Sequence, residues 1–83
     1  MLVELTPQAA GELEALPKVI HSRVRDILMR LANWPAVSGA KPLHGKLAGR
    51  YRIRTGDYRV QFHASKRAIV VEKIAHRDGF YEE

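Results

Sequence analysis

The stretch Arg50-Tyr51-Arg52-Ile53-Arg54-Thr55-Gly56-Asp57-Tyr58-Arg59-Val60-Gln61-Phe62-His63 decides the architecture. Tyr51 and Ile53 alternate with Arg50, Arg52 and Arg54, which is the period of two that a strand imposes on its side chains. Thr55-Gly56-Asp57 carries the residues of a hairpin turn. Tyr58, Val60 and Phe62 then alternate with Arg59, Gln61 and His63. Ser65-Lys66-Arg67 is a second turn, and Ala68-Ile69-Val70-Val71-Glu72-Lys73-Ile74 a third strand. Short turns make this meander antiparallel. The unbroken apolar centre of the third strand predicts an inner strand covered on both faces.

Upstream, the period is helical. Leu2-Val3-Glu4-Leu5 is a short strand. Thr6 supplies an N-cap hydroxyl and Pro7 suits the first helical position. Ala9, Ala10, Leu13 and Leu16 form one stripe, with Glu12 and Glu14 facing elsewhere. Pro17 ends that helix or starts the next. Val19, Ile20, Val24, Ile27, Leu28, Leu31 and Trp34 form a second stripe, and His21, Arg25, Asp26 and Arg30 the opposite face. Pro35 stops this helix. Residues 36–49, with Gly39, Pro42, Gly45 and Gly49, read as a loop. The expected fold is α+β, ordered β-α-α-β-β-β, with two helices packed on one face of a small, twisted, mainly antiparallel sheet.

Eighty-three residues with 46% apolar content support one domain, 1–83, with a thin core. There are no cysteines, which excludes a disulfide scaffold or a thiolate zinc site and fits a reducing cytoplasm. No basic-then-apolar leader and no membrane-length apolar run are present. Four scattered histidines lack metal-ligand spacing, and no phosphate loop, dinucleotide fingerprint, nucleophile elbow or zinc-protease motif occurs, so neither metal nor cofactor is expected.

The net charge of +5 is unevenly spread. Residues 1–40 balance four bases against four acids. Residues 41–77 hold ten bases against Asp57 and Glu72 only, and Asp78, Glu82 and Glu83 close the chain. A basic half is thus joined to a neutral one, the pattern of a polyanion binder. Arg50, Arg52 and Arg54 point one way, with Arg59 and His63 on the polar phase of the next strand. A merely solvated face would mix signs, and adjacent like charges destabilise a sheet. A phosphate-binding face accounts for the arrangement, because the guanidinium fork engages phosphate oxygens in pairs. The ending Ile74-Ala75-His76-Arg77-Asp78-Gly79-Phe80-Tyr81 sets an imidazole, a guanidinium and a phenol close together. It reads either as catalytic equipment or as a packed chain end.

The run Lys41-Pro42-Leu43-His44-Gly45 through Tyr51-Arg52-Ile53-Arg54-Thr55-Gly56-Asp57-Tyr58-Arg59-Val60 resembles the central signature of the RelE/ParE toxin superfamily. The ending Ile74 to Tyr81 resembles its C-terminal motif, and Leu5-Thr6-Pro7-Gln8-Ala9 with the helix pair also fits. The resemblance, closer to the RelE branch, implies the toxin of a type II toxin–antitoxin system with a RelE-like microbial ribonuclease fold. It implies metal-independent cleavage of mRNA, with the ribosome as the expected setting, by attack of the 2′-OH on the adjacent phosphate. It also implies a small, partly disordered cognate antitoxin, and operator DNA as a target of their complex. On the matching positions Arg52, Arg54 and Arg59 would hold the phosphate, Arg77 would assist the leaving group, and His76 or Tyr81 would move protons. Arginine, with a pKa above about 12, is a poor general base, so that last choice stays open. Lys41, Lys46, Arg50, Lys66, Arg67 and Lys73 would attract RNA. Two other readings remain: a ParE-like inhibitor of DNA gyrase, and an inactive partner of the antitoxin that serves in repression.

Overall fold

A computed structural model describes residues 1–80. The elements are β1 (Leu2–Leu5), α1 (Pro7–Glu14), α2 (Lys18–Leu31), β2 (Lys41–Pro42), a 3₁₀ turn (Gly45–Leu47), β3 (Arg50–Thr55), β4 (Tyr58–Ala64), β5 (Ala68–His76) and the short α3 (Arg77–Phe80). The sheet runs β1-β5-β4-β3-β2, with β1 parallel to β5 and the other pairs antiparallel.

Local chemistry starts each helix as the sequence implies. Thr6 Oγ1 accepts from the Ala9 amide at 3.1 Å, and Pro7 fills the first turn. α2 ends at Leu31 rather than running to Trp34. Its chain tightens there, the amides of Ala32, Asn33 and Trp34 bonding three residues back. Val24, Ile27 and Leu31 are buried, with Ile20 and Leu28 packed beside them, but Val19 is 64% exposed. It lies about 100° round the helix from the 20–24–27–31 row.

The helices cover one face of the sheet, where Phe62, Ile69, Ile74, Val60 and Val71 are fully buried. Trp34, Tyr51 and Phe62 pack as an aromatic triangle with ring centroids 4.8–5.7 Å apart. β5 is an inner strand as expected, between β1 and β4. Only one of its faces lies under the helices, and on the other Val70 and Glu72 are only partly covered.

Two features depart from the expectation. Lys41–Pro42, within the expected loop, forms β2 against Arg52 and Tyr51 at the sheet edge. Proline is tolerated on an edge strand, and two residues carry no readable period. Glu12, expected to face away, accepts from the Ile74 amide at 2.8 Å through its Oε1. β1 pairs with β5 only as far as Val71; beyond it the β5 edge is open, and a carboxylate from α1 satisfies it.

Glu12→Ala is therefore expected to destabilise the fold by about 1.5–3 kcal/mol, the range for a hydrogen bond to a charged group. Exposed Glu14→Ala should stay within about 0.5 kcal/mol of the parent. Urea unfolding of both variants measures the difference.

Candidate nucleic-acid interface

The register of β2, β3, β4 and β5 assembles the face opposite the helices row by row. Lys41 pairs with Arg52, Arg52 with Gln61 and Gln61 with Lys73; Arg54 pairs with Arg59 and Arg59 with Ala75; Arg50 pairs with His63 and His63 with Val70. Two of these cross-strand pairs, Lys41–Arg52 and Arg54–Arg59, are like-charged. Among the described residues no carboxylate lies within ion-pair distance of Arg52, Arg54 or Arg59.

Arg50, unlike those three, has a carboxylate partner. Its Nε donates to Glu72 Oε1 at 2.9 Å. Glu72 is aimed there by an irregularity in the strand. Gln61 pairs with Lys73 but Phe62 pairs with Val71, so Glu72 is the extra residue of a β-bulge. The bulge also keeps Ile74 in phase with Ile69 and Val71 on the core side. Gln61 Nε2 donates to the same Oε1 at 3.4 Å, and His63 Nδ1 stands 3.3 Å from Oε2, within ion-pair reach but without hydrogen-bond geometry. Burial pushes the Glu72 pKa up, but hydrogen bonds from Arg50 and Gln61, the Arg50 charge and a contribution from His63 outweigh it. The carboxyl is held below its ordinary 4.5. Arg50, expected to attract RNA, is committed to this cluster.

Arg59 is not solvent-facing as its strand phase implies. It is 7% exposed, and Nη1 donates to the carbonyls of Gly56 and Tyr58, both at 3.3 Å. Its Nε is buried without a hydrogen-bond partner. It braces the β3–β4 turn and puts a positive charge beside Arg54, its cross-strand partner. Arg52 is half-buried and Arg54 exposed.

The other expected residues fall in three places. His76 pairs with Tyr58, one residue out of step with the Arg59–Ala75 pair, and so lies on the other strand phase. Its ring packs edge-on against Tyr58 at 5.3 Å, and its Nδ1 accepts from the Asp78 amide at 3.2 Å. Arg77 opens α3; its amide donates to Asp57 O at 2.7 Å and its exposed guanidinium reaches Asp78 at 3.8 Å. Tyr81 lies outside the described residues. Lys66 and Arg67 sit in the β4–β5 turn, at the opposite end of the sheet from Arg54 and Arg59. Lys46 is exposed in the 3₁₀ turn, and Lys73 is half-buried on β5 beside Gln61.

The helical period puts Arg30 on the solvated side of α2, but it shares with Lys41, Arg52 and Arg54 a groove of about 360 Å³ along the β3 edge. Its seven-residue offset from Arg23 on one helix face was the available signal. Among the described residues no group of three or more His, Asp or Glu side chains is placed to hold a metal ion. No described helix is long and apolar enough to cross a membrane.

A helix pair on a five-stranded mixed sheet, with one face given over to arginine, is the frame of a family of small toxins. Residues 3–79 match the ParE toxin of type II toxin–antitoxin systems. The chain belongs to this family, within the RelE/ParE superfamily. It is similar to the toxin–antitoxin complex RelBE2 from Mycobacterium tuberculosis, at 29% identity and TM-score 0.79, covering 92% of this chain and 96% of that one. The RelB–RelE antitoxin–toxin complex from Methanococcus jannaschii matches at 22% identity and TM-score 0.78, covering 94% of each chain. YafQ from E. coli matches at 13% and 0.80, covering 96% and 97%. No curated protein matches the sequence.

Because the Glu72 pKa is lower in the folded chain than in the unfolded one, its contribution to stability is complete above the ordinary value of 4.5. It is lost as pH falls through the lowered folded value. Glu72→Gln should lower stability at neutral pH and flatten the fall on the acid side. Thermal melts between about pH 3 and 7 test this; parallel curves for the two proteins would contradict it.

Proposed function

We propose that this toxin is an endoribonuclease that cuts mRNA, with the ribosome as its setting, and so blocks translation in the cytoplasm. The observation that supports this most is the set Arg52, Arg54 and Arg59: three guanidiniums on one sheet face, none paired to a described carboxylate, one of them buried with an open donor. A buried donor without a partner costs about 1–3 kcal/mol, and a cation without a counter-ion favours an anion beside it. In cleavage, the O2′–P bond forms as the P–O5′ bond breaks, giving a 2′,3′-cyclic phosphate. The 2′-OH proton goes to a base and the departing 5′-oxygen takes one up. Arg52 and Arg54 hold the scissile phosphate and stabilise the negative charge that grows on it. Arg59 stabilises the same charge from the neighbouring strand and holds the turn. Arg77 assists the leaving group. Arginine at these positions leaves proton transfer to His76 or Tyr81. The other strand phase of His76 and its Asp78 contacts favour Tyr81.

RelBE2 and RelB–RelE are toxin–antitoxin complexes, which supports a cognate antitoxin here. Its toxin-binding segment folds on the complex and sets acidic side chains against the arginine face, and the complex binds operator DNA. Lys41, Lys46, Lys66, Arg67 and Lys73 add long-range attraction to RNA. The match to the ParE toxin supports a second reading, inhibition of DNA gyrase without RNA cleavage. Expression in growing cells separates the two: cut mRNA with translation arrest on the first, DNA damage on the second.

Arg52→Ala and Arg54→Ala should each lower single-turnover cleavage on mRNA-programmed ribosomes at least tenfold; exposed Arg54→Ala should leave the melting temperature unchanged, and half-buried Arg52→Ala should shift stability by no more than about 1 kcal/mol. Arg59→Ala is expected to lose stability together with activity, because its guanidinium braces the turn. Tyr81→Phe should lower the rate about 10²–10⁴-fold, the usual worth of acid–base help, while His76→Gln stays near the parent. The reverse pattern assigns the proton to His76.

A further inference from the structure

β2 pairs with β3 only at Tyr51 and Arg52, so the β3 edge from Ile53 to Thr55 has no strand beside it. The groove of about 360 Å³ runs along this edge, lined by Arg30, Ser38, Gly39, Lys41, Arg52, Ile53 and Arg54. One wall is the sheet, with Arg52 and Arg54. The other is α2, whose Arg30 is fixed by donation from Nη2 to Ser38 O at 3.2 Å. Lys41 stands at the end where β2 stops. Four cations thus line one groove and no acid does, and among the described residues no carboxylate is within ion-pair distance of any of them. The line continues along the helix. Arg23, seven residues before Arg30 on the same face, brings Nη1 to 3.9 Å from where a Cβ on Gly56 would stand, at the β3–β4 turn. Asp26 stands between them on that face, three residues after Arg23 and four before Arg30, so within α2 it is Arg30 that brings positive charge into the groove.

We infer that this groove is a second phosphate subsite. On the ribonuclease reading above, on which the inference rests, it binds the phosphodiester neighbouring the scissile one in single-stranded RNA, with Arg30 and Lys41 as its ligands. Lys41 is the cross-strand partner of Arg52, one strand spacing of about 5 Å further toward the sheet edge, which sets it on the same face next to the arginines that hold the scissile phosphate. Cationic walls on two sides focus the field on the space between them. The lining favours phosphate over an acidic peptide, because a docked peptide needs apolar anchors and Ile53, the one large apolar liner, is 3% exposed.

The test is binding of a short single-stranded RNA, 2′-O-methylated so that it cannot be cut, by the free toxin over about 50–200 mM salt. Removing one phosphate-binding cation should reduce the slope of log K against log salt by about 0.7 for a single strand. Arg30→Gln and Lys41→Ala are each expected to give that reduction, and the double variant about twice it. Arg25→Gln, on an exposed part of α2 outside the groove, should leave the slope unchanged. Lys41 is an exposed strand residue, so its variant reports even if Arg30→Gln disturbs the Ser38 segment. Parental slopes in both variants, with Arg52→Ala still reducing it, overturn the subsite and leave the ribonuclease reading standing. A parent that binds this RNA with no salt dependence overturns both. Variants that keep the RNA slope but lose affinity for an acidic antitoxin segment make the groove a protein-docking site and overturn the subsite.

Discussion

Arg54 and Arg59 stand directly opposite each other across β3 and β4, with no described carboxylate within ion-pair distance of either. The repulsion sets the terms for the rest of the molecule. A cross-strand pair is worth roughly 0.2–1 kcal/mol in either direction, so two like-charged pairs are tolerable in a domain whose total stability is about 5–15 kcal/mol. They are tolerable only if the other sheet face is well packed. The buried layer of Phe62, Val60, Ile69, Val71 and Ile74 against Val24, Ile27 and Leu31 meets that need, and a strained basic face can persist on its back.

The bulge at Glu72 limits where charge is left unpaired. It places Glu72 beside Arg50 and His63, at one end, while at the other Arg52, Arg54 and Arg59 have no carboxylate within ion-pair distance among the described residues. Without the extra residue, Ile74 would leave the core phase. One backbone irregularity therefore serves packing and electrostatics together. It gives the face a neutralised end and an open end rather than a uniform field.

A scaffold of this kind does not by itself choose a target. The chain matches the ParE toxin across most of its length and superposes on RelE-type complexes. What distinguishes the two activities is the placement of individual side chains. The arginine pair on β3, the buried Arg59 and the α2 flank with Arg23 and Arg30 lie around one open strand edge. His76 lies on another strand phase, apart from these cations.

Much of the fold was legible in the residues because it rests on local period. The alternation from Tyr51 to Phe62 marks two strands, the 20–24–27–31 row marks the buried side of α2, and Thr6-Pro7 marks a helix start, each through geometry that repeats every two or 3.6 residues. The basic face was legible for the same reason, since alternation alone puts Arg50, Arg52 and Arg54 together. Contacts between distant segments were not. The two-residue β2, the use of Glu12 to close the β5 edge and the pairing of Arg50 with Glu72 each join residues that no local period relates, and Arg59 folds back on the carbonyls of its own turn, which strand alternation does not report. The phase of His76 depends on a bulge that shifts β5 by one residue, and strand alternation read from the sequence has no means to register a shift that only the neighbouring strand imposes.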